Sequence, residues 1–143
     1  MLREELVKIT LEWERKFGVA PSITGSISEY DAAMLVGMSE EEYSDSMQGM
    51  TAVHKGFDFF FNGVRYQIKA CRPSGKPGSK VTKVPNVSNY NFDKYIWILY
   101  NKEYEIQEAW EWDVEDFKNT FKLGERISPE EIRAGKLLYP MKE

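Results

Sequence analysis

The chain has 143 residues, 42% hydrophobic, 14% aromatic and 29% charged, with a net charge of −4. That length and balance suit one folded domain spanning 1–143 and exclude a disordered chain. One cysteine, Cys71, excludes an internal disulfide, and one histidine, His54, excludes a Cys/His zinc cluster. No apolar run approaches the roughly 20 residues that span a bilayer. The acid-bearing start MLREELVKITLEWERKF lacks the pattern of a targeting signal. A cytoplasmic location, away from membranes, is the expectation.

Leu2, Leu6, Ile9, Trp13 and Phe17 recur every three or four residues and predict an amphipathic helix, ended by Gly18. After a turn at Pro21, Ser26-Ile27-Ser28-Glu29 reads as a capping box opening a second helix over 27–36, closed by Gly37. Ser39-Glu40-Glu41-Glu42 opens a third, short and acidic, ending near Met47. The pair is not a DNA-reading helix-turn-helix, because its recognition helix would set Glu40, Glu41, Glu42 and Asp45 against phosphate. It reads as two helices packed on the core.

Asn62-Gly63 signals a two-residue type I′ hairpin. That turn sets Phe61 opposite Val64, Phe59 opposite Tyr66, Asp58 opposite Gln67 and Phe57 opposite Ile68. Alternation places residues 57, 59, 61, 64, 66, 68 and 70, all apolar or aromatic, on one face. Asp58, Phe60, Arg65, Gln67 and Lys69 take the other. A slip of one residue would bury the charged set, so the register is strongly specified. His54 and Lys55, just before the hairpin, read as loop residues rather than DNA contacts.

Segment 72–93, with three prolines and two glycines, is a long loop. The run Tyr95-Ile96-Trp97-Ile98-Leu99-Tyr100 suits a buried central strand. A further strand is expected over 104–112, then a helix over 114–121 capped by Asp113. Ser128-Pro129-Glu130-Glu131 opens a last short helix, ended by Gly135. This order describes an α/β domain, a mixed sheet of about four strands flanked by helices. Trp97, Trp110 and Trp112 read as core or interface anchors, and Cys71 as a small buried group.

Charge is unevenly placed. Between Phe59 and Phe92 there are six basic residues and no Asp or Glu, a +6 segment that leaves −10 on the rest of a chain of net −4. Arg65, Arg72, Lys76, Lys80 and Lys83 are therefore the candidate contacts to a nucleic-acid backbone. The hairpin pairing also gathers chemistry. Asp58 lies beside Gln67, Lys69 follows two residues along the same face, and the Ile68 carbonyl is near. Carboxylate, carbonyl and water suit Mg²⁺ or Mn²⁺. A lysine beside them can orient or deprotonate a water, or neutralise charge on a scissile phosphate. The bland alternatives are a surface ion pair of Asp58 with Arg65 or Lys69, and a Lys69 that only binds phosphate.

Asp58, followed after a hairpin by Gln67-Ile68-Lys69, resembles the PD-(D/E)XK nucleases, which share the restriction-endonuclease-like fold. The strand YIWILY and then EIQEAWEWDVEDF follow that fold's order, so the resemblance covers about 26–121. It implies a restriction-endonuclease-like core and a metal-dependent DNA endonuclease. Asp58, Gln67 and the Ile68 carbonyl would hold the metal and Lys69 would be catalytic. Glu29, from the upstream helix, would complete the site; its other reading is the last residue of the capping box. Phe57 stands where the family has proline, and Gln67 where it has an acid, which removes one negative charge from the metal site. DNA is the implied partner, with a homodimer as a further expectation. The rival class is a non-catalytic nucleic-acid- or protein-binding module on the same fold, such as a phage or defence-system interaction protein that makes contact through acidic residues 40–45. Gln67 and the pI of about 5.2 favour it.

Overall fold

The computed structural model describes residues 1–50 and 56–141, so His54 and Lys55 lie outside the described residues. Three helices come first: α1 (Leu2–Phe17), α2 (Thr24–Leu35) and α3 (Glu40–Gln48). The strands β1 (Phe59–Phe61), β2 (Val64–Cys71), β3 (Lys94–Tyr100) and β4 (Ile106–Asp113) follow. Helices α4 (Val114–Thr120) and α5 (Pro129–Ile132) and strand β5 (Lys136–Tyr139) complete the order. The chain is an α/β protein with an open five-stranded sheet ordered β1-β2-β3-β4-β5. Strands β2 and β3 run parallel, and the other neighbours antiparallel. The sheet has one strand more than the four expected. Strand β5 is only four residues long, with Pro140 next, too short for its alternation to register.

The hairpin forms as its turn dictates. Asn62 and Gly63 both have positive φ, 51° and 77°, and Phe61 faces Val64, Phe60 Arg65 and Phe59 Tyr66. The ladder changes at Asp58. Its N–H donates to the Tyr66 carbonyl at 2.7 Å, so Asp58 and Phe59 stand together against Tyr66, as in a β-bulge. The Asp58 carboxylate then takes the place of a strand partner, accepting from the Ile68 N–H at 2.7 Å. The expected backbone pairing of Asp58 with Gln67 is thereby replaced by a side-chain one.

The two sheet faces are covered differently. On the first, Ile27, Ala32 and Ala33 of α2 pack against Tyr66, Ile68, Ile96 and Ile98. On the second, Tyr95 and Trp97 lie under Val84, Val87 and Phe92 of the β2–β3 crossover, with Phe117 and Phe121 beside them. The long loop is therefore a packing layer, pinned by a bridge between Val84 and Ile127. Trp97 lies wholly in this core, and the Trp112 Nε1 donates to the Ile132 carbonyl at 2.8 Å. Cys71 is half-buried, its Sγ 3.5 Å from the Trp97 Nε1, and burial pushes the thiol up from its usual range.

Local signals held in part. Ser39 with Glu42, and Ser128 with Glu131, form reciprocal capping boxes as expected. Ser26-Glu29 does not. Helix α2 starts at Thr24, Ile23 is its N-cap and no side chain caps it, which leaves the Glu29 carboxyl unused by the helix end. Tyr104 adopts the left-handed conformation, φ 62°, so β4 begins at Ile106 rather than at 104. Asp113 is the N-cap of α4, but its side chain makes no cap bond.

Helix α1 forms over the expected residues but presents an unexpected face. Its inward side buries Val7 and Thr10, packs Leu11 on the core and carries ion pairs on its flanks. Arg3 donates to Asp31 at 2.7 and 2.8 Å, and Glu14 accepts from Arg72 at 3.0 and 2.9 Å. Asp31 also accepts from the Tyr100 hydroxyl at 2.6 Å. These bonds orient the helix, and its apolar stripe faces outward. Among the described residues no helix is long and apolar enough to cross a membrane.

Candidate functional site

Three elements converge at the edge of β2. Helix α2 buries Ile27, Ala32 and Ala33, which brings Glu29 to the rim of the packed layer. The bulge at the start of β1 turns Asp58 to the same rim. There Glu29 is hydrogen-bonded to Asp58. Burial first, then the adjacent Asp58, push the Glu29 carboxyl up to about 8. In the folded chain the pair favours holding a proton to higher pH than a free carboxyl does.

Asp58 Oδ2 is fixed by two further donors, the Ile68 N–H at 2.7 Å and the Gln67 Nε2 at 3.0 Å. The Ile68 carbonyl lies on the same side of the strand as its N–H, toward this edge. Lys69 shares a sheet face with Gln67, about 7 Å further along the strand. By register it stands beside Trp97 of β3. Gln67 and Lys69 therefore belong to the second face and Glu29 to the first, with Asp58 between them. Tyr43 of α3 adds a group that sequence reasoning missed. Burial, with Glu29 and Asp58 nearby, pushes its phenol up to about 12, and its ring meets Phe59 edge-on at 6.4 Å. Nothing in the acidic run 40–45 signalled that its one aromatic residue turns inward.

Among the described residues no group of three or more His, Cys, Asp and Glu gathers. The oxygen donors here are the Glu29 and Asp58 carboxyls and the Ile68 carbonyl, while Gln67 turns its NH₂ to Asp58. Mg²⁺ is commonly held by one or two carboxylates, with waters and substrate phosphate completing the octahedron, and this set fits it. The carboxyl pair argues the same way. Among the described residues these two neighbouring acids, with Glu29 pushed up to about 8, have no ammonium or guanidinium partner, and a divalent cation would displace the proton they hold.

The basic residues are largely otherwise engaged. Arg65 forks onto Asp93, with Nε and a terminal nitrogen both at 3.1 Å, and not onto Asp58. Asp93 is the first acid after the all-basic run, and it folds back onto it. Arg72, of the same candidate set, is also engaged within the chain. Its side chain is only 6% exposed, paired with Glu14, bonded to the Lys102 carbonyl and stacked 4.8 Å over the Tyr104 ring. The Lys76 ammonium reaches the Gly18 carbonyl, at the negative end of α1. Lys80 and Lys83 are exposed and have no carboxylate partner among the described residues.

Compared with known protein families and with curated proteins, the chain matches no family model and no curated sequence.

Proposed function

We propose that this chain is a Mg²⁺- or Mn²⁺-dependent nuclease of the PD-(D/E)XK type, with a restriction-endonuclease-like core, that hydrolyses phosphodiester bonds in DNA. The observation that carries the reading is the Glu29–Asp58 carboxyl pair at the edge of β2, beside Gln67-Ile68-Lys69. A cation held here would supply Lewis acidity toward the phosphate and toward a water. Asp58 and Glu29 would provide the charged ligands, and the two N–H donors on Asp58 Oδ2 hold that carboxylate in one orientation. Gln67 brings no charge and acts by positioning Asp58. Lys69 orients the attacking water or neutralises charge growing on the phosphate. Lys80 and Lys83 hold the nucleic-acid backbone.

The test is cleavage of single-stranded, duplex and branched DNA with Mg²⁺ or Mn²⁺, comparing wild type with Asp58→Asn and Lys69→Ala. Metal-dependent cutting should disappear in both variants while their circular dichroism stays that of wild type. Equal cutting by Asp58→Asn would refute the assignment. One observation favours the non-catalytic module: Glu14 and Asp93 occupy two of the arginines that would serve DNA. Failure of wild type either to bind or to cleave DNA would select its protein-binding form.

A further inference from the structure

Helix α1 turns a continuous apolar stripe to solvent. Leu2, Leu6, Ile9, Trp13 and Phe17 are 82%, 39%, 61%, 52% and 57% exposed. Such a stripe is what a helix ordinarily buries. The first four follow the alternating four- and three-residue spacing of a two-helix seam. Contiguous apolar surface of this kind marks an interaction site.

We propose that α1 pairs antiparallel with α1 of a second copy of this chain, about a two-fold axis near Ile9, to form a homodimer. Shape selects the direction. Leu2 and Leu6 occupy one end of the stripe, and Trp13 and Phe17, with ring centroids 4.7 Å apart, occupy the other. Antiparallel pairing lays the aromatic end of each copy on the aliphatic end of the other, whereas parallel pairing sets bulk against bulk. A receiving surface is present. Beside Leu2 and Leu6 lies a groove of about 630 Å³ lined by Ile27, Tyr43 and Met47, and Phe17 of the second copy arrives there. Charge agrees. Glu40 and Glu41 rim that groove, and Lys16 of the last turn of α1 arrives with Phe17. Parallel pairing would align the two helix dipoles unfavourably. The area is sufficient. With Met1 and Val19, also exposed, two copies present roughly 1,200 Å² of apolar surface, above the ~1,000 Å² a specific interface needs. The inference does not depend on the hydrolytic reading.

Sedimentation velocity of the full chain tests it. Wild type should be dimeric at micromolar concentration. Trp13→Glu and Ile9→Lys, both at exposed positions, should melt as wild type does and dissociate at least about 100-fold more readily. A monomeric wild type, or variants that dimerise unchanged, would overturn the proposal. Direction is read with a short thiol cross-linker in a Cys71→Ala background. Ile9→Cys should link two copies. Leu2→Cys should not, because antiparallel pairing holds the two positions roughly 22 Å apart along the axis. Linkage through Leu2→Cys would overturn the antiparallel arrangement.

Discussion

Replacing Glu29 with Gln tests the carboxyl pair without reference to any substrate. In the folded chain the Glu29 carboxyl is pushed from the usual 4.5 to about 8 by burial and by Asp58. In the unfolded chain it returns to about 4.3. Between those values the folded state holds a proton that the unfolded state has released. Stability is therefore fully present below about pH 4 and is lost as pH rises to about 8. At about 1.4 kcal/mol per pKa unit the displacement sets a ceiling of roughly 5 kcal/mol. Glu29 is only partly buried, and solvent screening brings the expected loss to about 2 kcal/mol. For a chain of this size that is a fall of about 6 °C in Tm relative to Glu29→Gln between pH 5 and pH 8.5. Near pH 4 the two proteins should melt together, since both then carry a neutral group at this position. Mn²⁺ at pH 8 should restore the wild type, by about 2.7 kcal/mol at a hundred times its Kd, and leave Glu29→Gln nearly unmoved. Thermal melts by circular dichroism across pH 4–9, with and without Mn²⁺, read both effects. Parallel curves for the two proteins would refute the shared-proton argument, and an equal Mn²⁺ gain would place the cation elsewhere.

Gln67→Glu exchanges the 3.0 Å hydrogen bond to Asp58 for a like charge. The metal-free protein should lose about 1–2 kcal/mol at pH 8 and bind Mn²⁺ about tenfold more tightly by calorimetric titration; equal affinities would remove the cation from this edge. Arg72→Ala abandons Glu14 and Tyr104, so chemical denaturation should show a loss of about 2–4 kcal/mol. The salt dependence of DNA binding should not change, and a flattened slope would return Arg72 to the nucleic acid. For wild type, about three phosphate contacts predict a log–log salt slope of roughly −2 to −3. Replacing Lys80 and Lys83 together by Ala should flatten it by roughly 2, and an unchanged slope would place DNA on another surface.

The elements whose cause is local were legible in the residues alone. Asn62-Gly63 demands two positive φ values that few other pairs supply, so the hairpin and its first three cross-strand pairs follow from the turn. Ser39 and Ser128 cap their helices because the bonding partner lies three residues away. The motif Gln67-Ile68-Lys69 is likewise local, since alternation alone places Gln67 and Lys69 on one face. What depended on distant groups was not legible. Tertiary contact draws α2 back to Thr24, takes Glu29 out of a capping box and sets it against Asp58. The bulge that aims Asp58 exists because its carboxylate bonds the Ile68 N–H across the hairpin. Arg65 and Arg72 looked like free positive charge until folding brought Asp93 and Glu14, 28 and 58 residues away in sequence, against them. The periodicity of α1 determined a helix but not which side faces inward. Val7, Thr10 and Leu11, which pack on the first core layer, decided that together with the ion pairs from Arg3 to Asp31 and from Glu14 to Arg72, because a polar group entering the core must bring its partner with it.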